Sequence, residues 1–137
     1  MGNNTQFSIA VHVLAGLGAR GAATPSGALA KSVNACPSFV RRVMSKLAKA
    51  NLVRTTTGKS GSCALARNPR DISLLDVYRA VEGPKAFAIH DYPEQRQCAV
   101  SCGIKPALQK VLDKTQSSME ESLRTMSLAD VLTDLKV

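Results

Sequence analysis

Residues 37–49 constrain the fold more than any other stretch of the chain. At 100° per residue, Val40, Val43, Met44 and Leu47 form one stripe, while Ser38, Arg41, Arg42, Ser45 and Lys49 fall on the opposite face. A helix of this kind buries one side and leaves the other to solvent or a partner. Pro37 opens it, and Asn51 is an acceptable left-handed terminator where glycine is usual. Upstream, Thr24 reads as an N-cap and Pro25 as the first residue of a short helix through Leu29, Ala30 and Val33, with Asn34-Ala35-Cys36 as the turn. A short helix, a tight turn and a second helix with a cationic outer face is the arrangement in which the second helix enters a DNA major groove. Taken alone, such a basic face reads equally well as solvated surface.

Charge placement separates those two readings. Ten of the eighteen Lys/Arg residues and none of the ten Asp/Glu residues fall within residues 1–70. A face that only needed solubility would mix signs, whereas a field of one sign concentrates polyanions. Aromatic residues make up 4% of the chain and Trp is absent, which disfavours single-strand binding by base stacking. Double-stranded DNA is therefore the expected partner. No run of about 18 apolar residues is present, so no membrane helix is expected. The polar start Met1-Gly2-Asn3-Asn4 lacks an export pattern, so the expected location is the cytoplasm, with reduced thiols.

The remaining elements follow in order. Phe7, Ala10, Val11, Leu14 and Leu17 predict a first helix after Asn4 or Thr5, stopping near Gly18 and Gly21. Leu52–Thr56 and Ser62–Leu65 predict a hairpin turning through Gly58-Lys59-Ser60-Gly61. Ser73 with Asp76 resembles a capping box opening a fourth helix that ends at Gly83-Pro84. From Lys85 to Ser101 the periodicity dissolves into a loop. A long helix follows, with Pro106 in its first turn and Ile104, Leu108, Val111, Leu112, Met119 and Leu123 along one side. Some 25 residues span roughly 37 Å at 1.5 Å per residue, more than so small a domain covers alone, so a second protomer is expected on this stripe. Ser127-Leu128-Ala129-Asp130 caps a short last helix.

The sequence of these pieces resembles the IscR/NsrR/CymR-like (Rrf-type) family of bacterial winged helix-turn-helix transcriptional regulators. The resemblance rests on Pro37–Leu47, Ala50-Asn51-Leu52-Val53, Gly58–Gly61, Leu65-Ala66-Arg67, Ile72–Val77 with Ala80-Val81-Glu82-Gly83, and Ser127–Val131. It implies a mostly α fold with a small β-hairpin wing, divided into a DNA-binding domain (1–83), a sensor-type loop (84–101) and a dimerisation helix with a short C-terminal helix (102–137). It also implies a homodimer on a two-fold operator, with Ser38, Arg41, Arg42, Ser45 and Lys49 facing DNA and Thr57, Gly58, Lys59, Ser60 and Gly61 forming the wing. The family pattern has an arginine before the wing glycine and a tyrosine after the glycine run. This chain has Thr57 and Cys63 there, so Lys59 brings charge without the arginine's planar fork.

Cluster-binding members carry three cysteines ahead of the long helix, and this loop supplies two, Cys98 and Cys102. An iron–sulfur cluster takes four ligands. No cofactor is therefore expected, and a cluster would need His90 or a second protomer to complete it. The other reading is a redox or effector switch built from Cys36, His90, Cys98 and Cys102, in which Cys36 gains reactivity from a cationic helix N-terminus. No phosphate loop, nucleophile triad or Cys-x-x-Cys motif supports an enzyme. Two functions stand: a sequence-specific dimeric regulator, with repression as the expected output, and a basic architectural or RNA-associated protein that coats nucleic acid.

Overall fold

The computed structural model describes residues 5–56 and 61–136. The described elements are α1 (Gln6–Arg20), β1 (Thr24–Pro25), α2 (Ser26–Val33), α3 (Pro37–Lys49), β2 (Val53–Thr55), β3 (Ser62–Leu65), a 3-10 turn (Pro69–Asp71), α4 (Leu74–Ala80), α5 (Ala99–Arg124) and α6 (Leu128–Leu135). They form two compact units, Met1–Gly83 with Leu123–Val137, and Pro84–Ser122. Helices joined to a small antiparallel sheet are the mostly α, winged helix-turn-helix fold expected from the sequence.

In the first unit, which we call the head, α1 supplies Ala10, Val13, Leu14 and Leu17 to a core closed by Leu29 of α2, the α3 stripe, Leu52, Cys63, Ile72, Val77 and Leu128. Gly18 does not end α1. A Cβ at that position would come within 2.8 Å of Leu132 Cδ1, so only glycine leaves room there for Leu132 of α6. The helix stops at Gly21, whose φ of 64° suits glycine and whose N–H donates to Leu17 O.

Thr24 and Pro25 also depart from expectation. They form a two-residue strand, and α2 starts one residue later. Thr24 pairs with Cys63 and Pro25 with Ser62, giving the sheet order β1-β3-β2. Proline is tolerated because β1 is an edge strand. The Thr24 hydroxyl, almost fully buried, donates to Ala22 O instead of capping a helix. As predicted, Asn51 takes a left-handed conformation, and so does Asn34 in the turn after α2, each with φ of 60°.

Two capping boxes lie side by side. Ser73 with Asp76 starts α4, and Ser127 with Asp130 starts α6. Ser73 and Ser127 form an isolated antiparallel bridge, in which Leu74 N donates to Met126 O and Leu128 N to Ile72 O, both at 2.9 Å. Each helix thus finds an acceptor for a first-turn N–H that has none within its own turn.

The second unit has no buried residue among Pro84–Ser122. Its loop is tied to α5 by polar bonds: Ala86 N to Gln116 Oε1 at 2.9 Å, Lys105 Nζ to Tyr92 O at 2.7 Å and Gln95 N to Ser101 Oγ at 2.7 Å. Helix α5 starts at Ala99, earlier than the sequence pattern indicated, which leaves Pro106 inside the helix and not in its first turn. Proline there has no N–H to offer the Cys102 carbonyl four residues back.

Leu128 is fully buried and joins α6 to the core. Leu128→Ala is expected to destabilise the head by about 2–5 kcal/mol, and Ser127→Ala by about 1 kcal/mol through loss of the cap. Urea unfolding at one fixed protein concentration checks both; an unshifted midpoint for Leu128→Ala contradicts the role of α6 in closing the core.

Candidate nucleic-acid interface

Helix α3 is built as a two-faced element. Val40, Val43, Met44 and Leu47 are at most 4% exposed, whereas Ser38, Arg41, Arg42, Ser45 and Lys49 are all exposed. Lys46 lies between the faces and donates to Gln6 Oε1 at 2.8 Å, a tie between α3 and α1. The five outward residues therefore share one solvent face. The chain has no Asp or Glu before Asp71, so α1, α2, α3 and the hairpin strands carry none.

The hairpin beside α3 closes through a polar clasp. Thr56 N donates to Ser62 O at 2.9 Å, and Ser62 N donates to Thr56 Oγ1 at 3.1 Å. Beyond the clasp, Thr57, Gly58, Lys59 and Ser60 lie outside the described residues. Gly61 is described, and its carbonyl accepts from Ser26 N at 3.3 Å, which ties the hairpin to the start of α2. Three further exposed or half-exposed polar residues border this region without having been singled out from the sequence: Ser26, Arg54 and Thr55. The signal for Arg54 was strand alternation, because burying Val53 turns the next side chain outward.

The four cysteines fall into different environments. Cys36 is exposed at the N-cap of α3, its sulfur 3.1 Å from Ser38 Oγ. Hydrogen bonding from the Ser38 hydroxyl, then from the N–H groups of Ser38 and Phe39, with a smaller contribution from the Arg41 charge, holds its thiol pKa below the usual value. Cys63 is buried in β3, and burial pushes its thiol up. Cys98 and Cys102 are exposed at the start of α5. The Ser101 N–H is directed at Cys98 Sγ (3.5 Å), and the Cys102 thiol is directed at Gln95 O (3.6 Å). His90 lies in the preceding loop against the Tyr92 ring, 6.2 Å between centroids.

Along α5, Ile104, Leu108, Leu112, Met119 and Leu123 are half-buried and Val111 is 57% exposed. No residue of this helix is buried.

Residues 3–134 match the Rrf2 family model, described as an iron-dependent transcriptional regulator. The chain belongs to the Rrf2 family. It is 38% identical over 133 residues to YwnA of Bacillus subtilis, an HTH-type transcriptional regulator by name, covering 96% of this chain and 98% of YwnA. Among solved structures it superposes on a transcriptional regulator from Lactobacillus plantarum with a TM-score of 0.83 at 26% identity, covering 96% of this chain and 90% of the other. It superposes on IscR of T. potens with a TM-score of 0.72 at 25% identity, covering 98% and 88%. This Rrf2 chain is a DNA-binding transcriptional regulator and not an enzyme.

The family description names iron, and the loop residues of this chain that could contribute ligands are His90, Cys98 and Cys102. Among the described residues, no three His, Cys, Asp or Glu side chains come together around a common point. Cys98 and Cys102 alone are two thiols where a cluster takes four ligands.

The Cys36 environment has a directional consequence. Alkylation of Cys36 is expected to set in at lower pH than for an ordinary thiol, with Ser38→Ala moving that midpoint upward because the thiolate loses its hydroxyl donor. Cys63 should stay unmodified until the head unfolds. Mass-resolved alkylation across pH checks both, and an unmoved midpoint in Ser38→Ala removes the serine from the account.

Proposed function

We propose that this Rrf2 member works in the cytoplasm as a homodimeric, sequence-specific repressor, laying α3 of each protomer into successive major grooves of a two-fold operator. The observation that carries this reading is the exposed set Ser38, Arg41, Arg42, Ser45 and Lys49 on a helix whose other face is buried, in a head with no carboxylate before Asp71. Phosphate attraction brings such a face to any duplex, and hydrogen bonds to base edges select among sequences. Thr57, Gly58, Lys59, Ser60 and Gly61 act in this reading as the wing beside the groove, with Lys59 adding charge. A dimer seated over a promoter excludes polymerase, which makes repression the direct output.

The dimer is placed on α5. A 26-residue helix with Ile104, Leu108, Val111, Leu112, Met119 and Leu123 along one side, and no buried residue, has apolar surface to cover. A second copy of the same helix covers it by two-fold symmetry and sets the spacing of the reading heads.

One experiment separates this reading from that of an architectural protein. At fixed salt, wild type should prefer its own promoter DNA over random duplex by ~10³ or more, and Arg42→Ala should lose about 1–3 kcal/mol on the operator in a sequence-dependent way. Equal binding to all duplexes refutes sequence-specific regulation. Unchanged affinity in Arg42→Ala refutes the assigned face.

Redox control is a second reading, favoured by the placement of Cys36 at the N-cap of the reading helix and in contact with Ser38. The thiolate would give two electrons to the peroxide O–O bond, gain an oxygen atom as sulfenic acid and release hydroxide. The added group sits where Ser38 must approach DNA. The same titration after peroxide, in wild type and Cys36→Ser, reads this arm; equal loss in both removes Cys36 as the sensor. Cys98, Cys102 and His90 are the remaining effector candidates.

Leu112→Glu tests the interface. Sedimentation should show a wild-type dimer and a variant monomer that has lost tight operator binding as well, because half-site occupancy depends on two linked heads. A variant that remains dimeric places the interface elsewhere.

A further inference from the structure

Between α2, α3 and β2 the head has a hollow of about 240 Å³ lined by Ser26, Arg41, Met44, Ser45, Ala48 and Thr55. Three separate elements thus line a single depression with an arginine, two serines and a threonine, beside the buried Met44. The chain has no carboxylate before Asp71, and among the described residues Arg41 has no ion pair. Arg41 repels a metal cation, and the hydroxyls make the hollow a poor fit for an apolar occupant. The chemistry that satisfies this set is an oxyanion, accepting from the guanidinium and from hydroxyl hydrogens.

Ser26 is placed for this task. Its backbone N–H already serves Gly61 O at 3.3 Å, and its hydroxyl makes only a long contact to the same oxygen at 3.4 Å. The hydroxyl hydrogen is therefore free to turn toward an incoming anion without unseating the residue. Thr55 is held by its strand, paired with Cys63 in the ladder. Arg41 and Arg42, consecutive on α3, point about 100° apart, so a guanidinium turned into this hollow leaves its neighbour on a different line.

We propose that this hollow seats one backbone phosphodiester of the bound duplex, held by Arg41, Ser26, Ser45 and Thr55, and so fixes the register in which Ser38 and Arg42 meet base edges. Ser26 and Thr55 thereby become DNA contacts from outside the recognition helix, one from the start of α2 and one from the strand leading to the wing. The inference rests on the reading of α3 given above. A phosphate contact carries no sequence information of its own, which gives it a signature distinct from that of a base reader.

The test uses the full chain with two duplexes, promoter DNA and random sequence, at one salt concentration. Ser26→Ala and Thr55→Val should each weaken binding to both duplexes by the same factor, roughly tenfold for a hydrogen bond to a charged oxygen, while Thr55→Ser restores it. Neutral methylphosphonates placed one at a time along the promoter should reveal a position that costs the wild type affinity but costs Thr55→Val much less. Unchanged affinity in both variants overturns the seat, and so does a loss confined to promoter DNA. Failure of the underlying reading looks different: a wild type that binds every duplex equally refutes sequence-specific regulation, and the seat is then decided on random duplex by the same two variants.

Discussion

Burial of the α3 stripe against α1, α2 and β2 is the interaction on which the head depends. Helix α3 gathers Arg41, Arg42, Lys46 and Lys49 in a stretch of sequence that has no acidic residue before Asp71. What holds it in place is Val40, Val43, Met44 and Leu47, each worth about 1.5–3 kcal/mol when fully buried, together with the Lys46 to Gln6 hydrogen bond. The arrangement leaves the head electrostatically unsatisfied when alone. Anions that settle on the outer face relieve the repulsion among these cations, so whatever binds the folded face also stabilises it. Ligand binding on the outer face and packing on the inner face would act through the same helix, from opposite sides.

Much of this was legible from local pattern. The two-faced α3 follows from helical periodicity alone, and both capping boxes follow from a serine with an aspartate three residues later. The asparagines at 34 and 51 stand where the chain needs a left-handed turn, and their side chains tolerate it. The misreadings share a cause, which is that tertiary partners decided them. Thr24-Pro25 has the signature of a helix start, yet β3 lies beside it and Thr24 finds its acceptor at Ala22. Gly18 looks like a terminator and in fact leaves room for Leu132. Ser26 and Thr55 carry no motif, because a hollow assembled from three elements leaves no trace in the order of residues.

The thiols divide along similar lines. Cys63 is a small core residue whose sulfur is withdrawn from solvent and whose ionisation burial opposes. Cys36 is the reverse case, exposed at the entrance to α3, with donors around its sulfur and Arg41 holding its thiol pKa below the usual value. Cys98 and Cys102 are exposed on a unit in which no residue is buried, where bonds such as Lys105 to Tyr92 O give the loop its shape.

The bridge between Ser73 and Ser127 has a consequence for how such a chain can diversify. By pairing the start of α4 with the start of α6, it makes everything from the end of α4 to the end of α5 a closed excursion from the head, entered and left within one scaffold. The entropy of closing an excursion grows only with the logarithm of its length. Residues can therefore be added, removed or exchanged between those two serines at little thermodynamic expense to the core that presents α3. In engineering terms the bridge is a socket: the head can stay constant while the segment plugged into it, with its thiols and its exposed apolar helix, is exchanged for another.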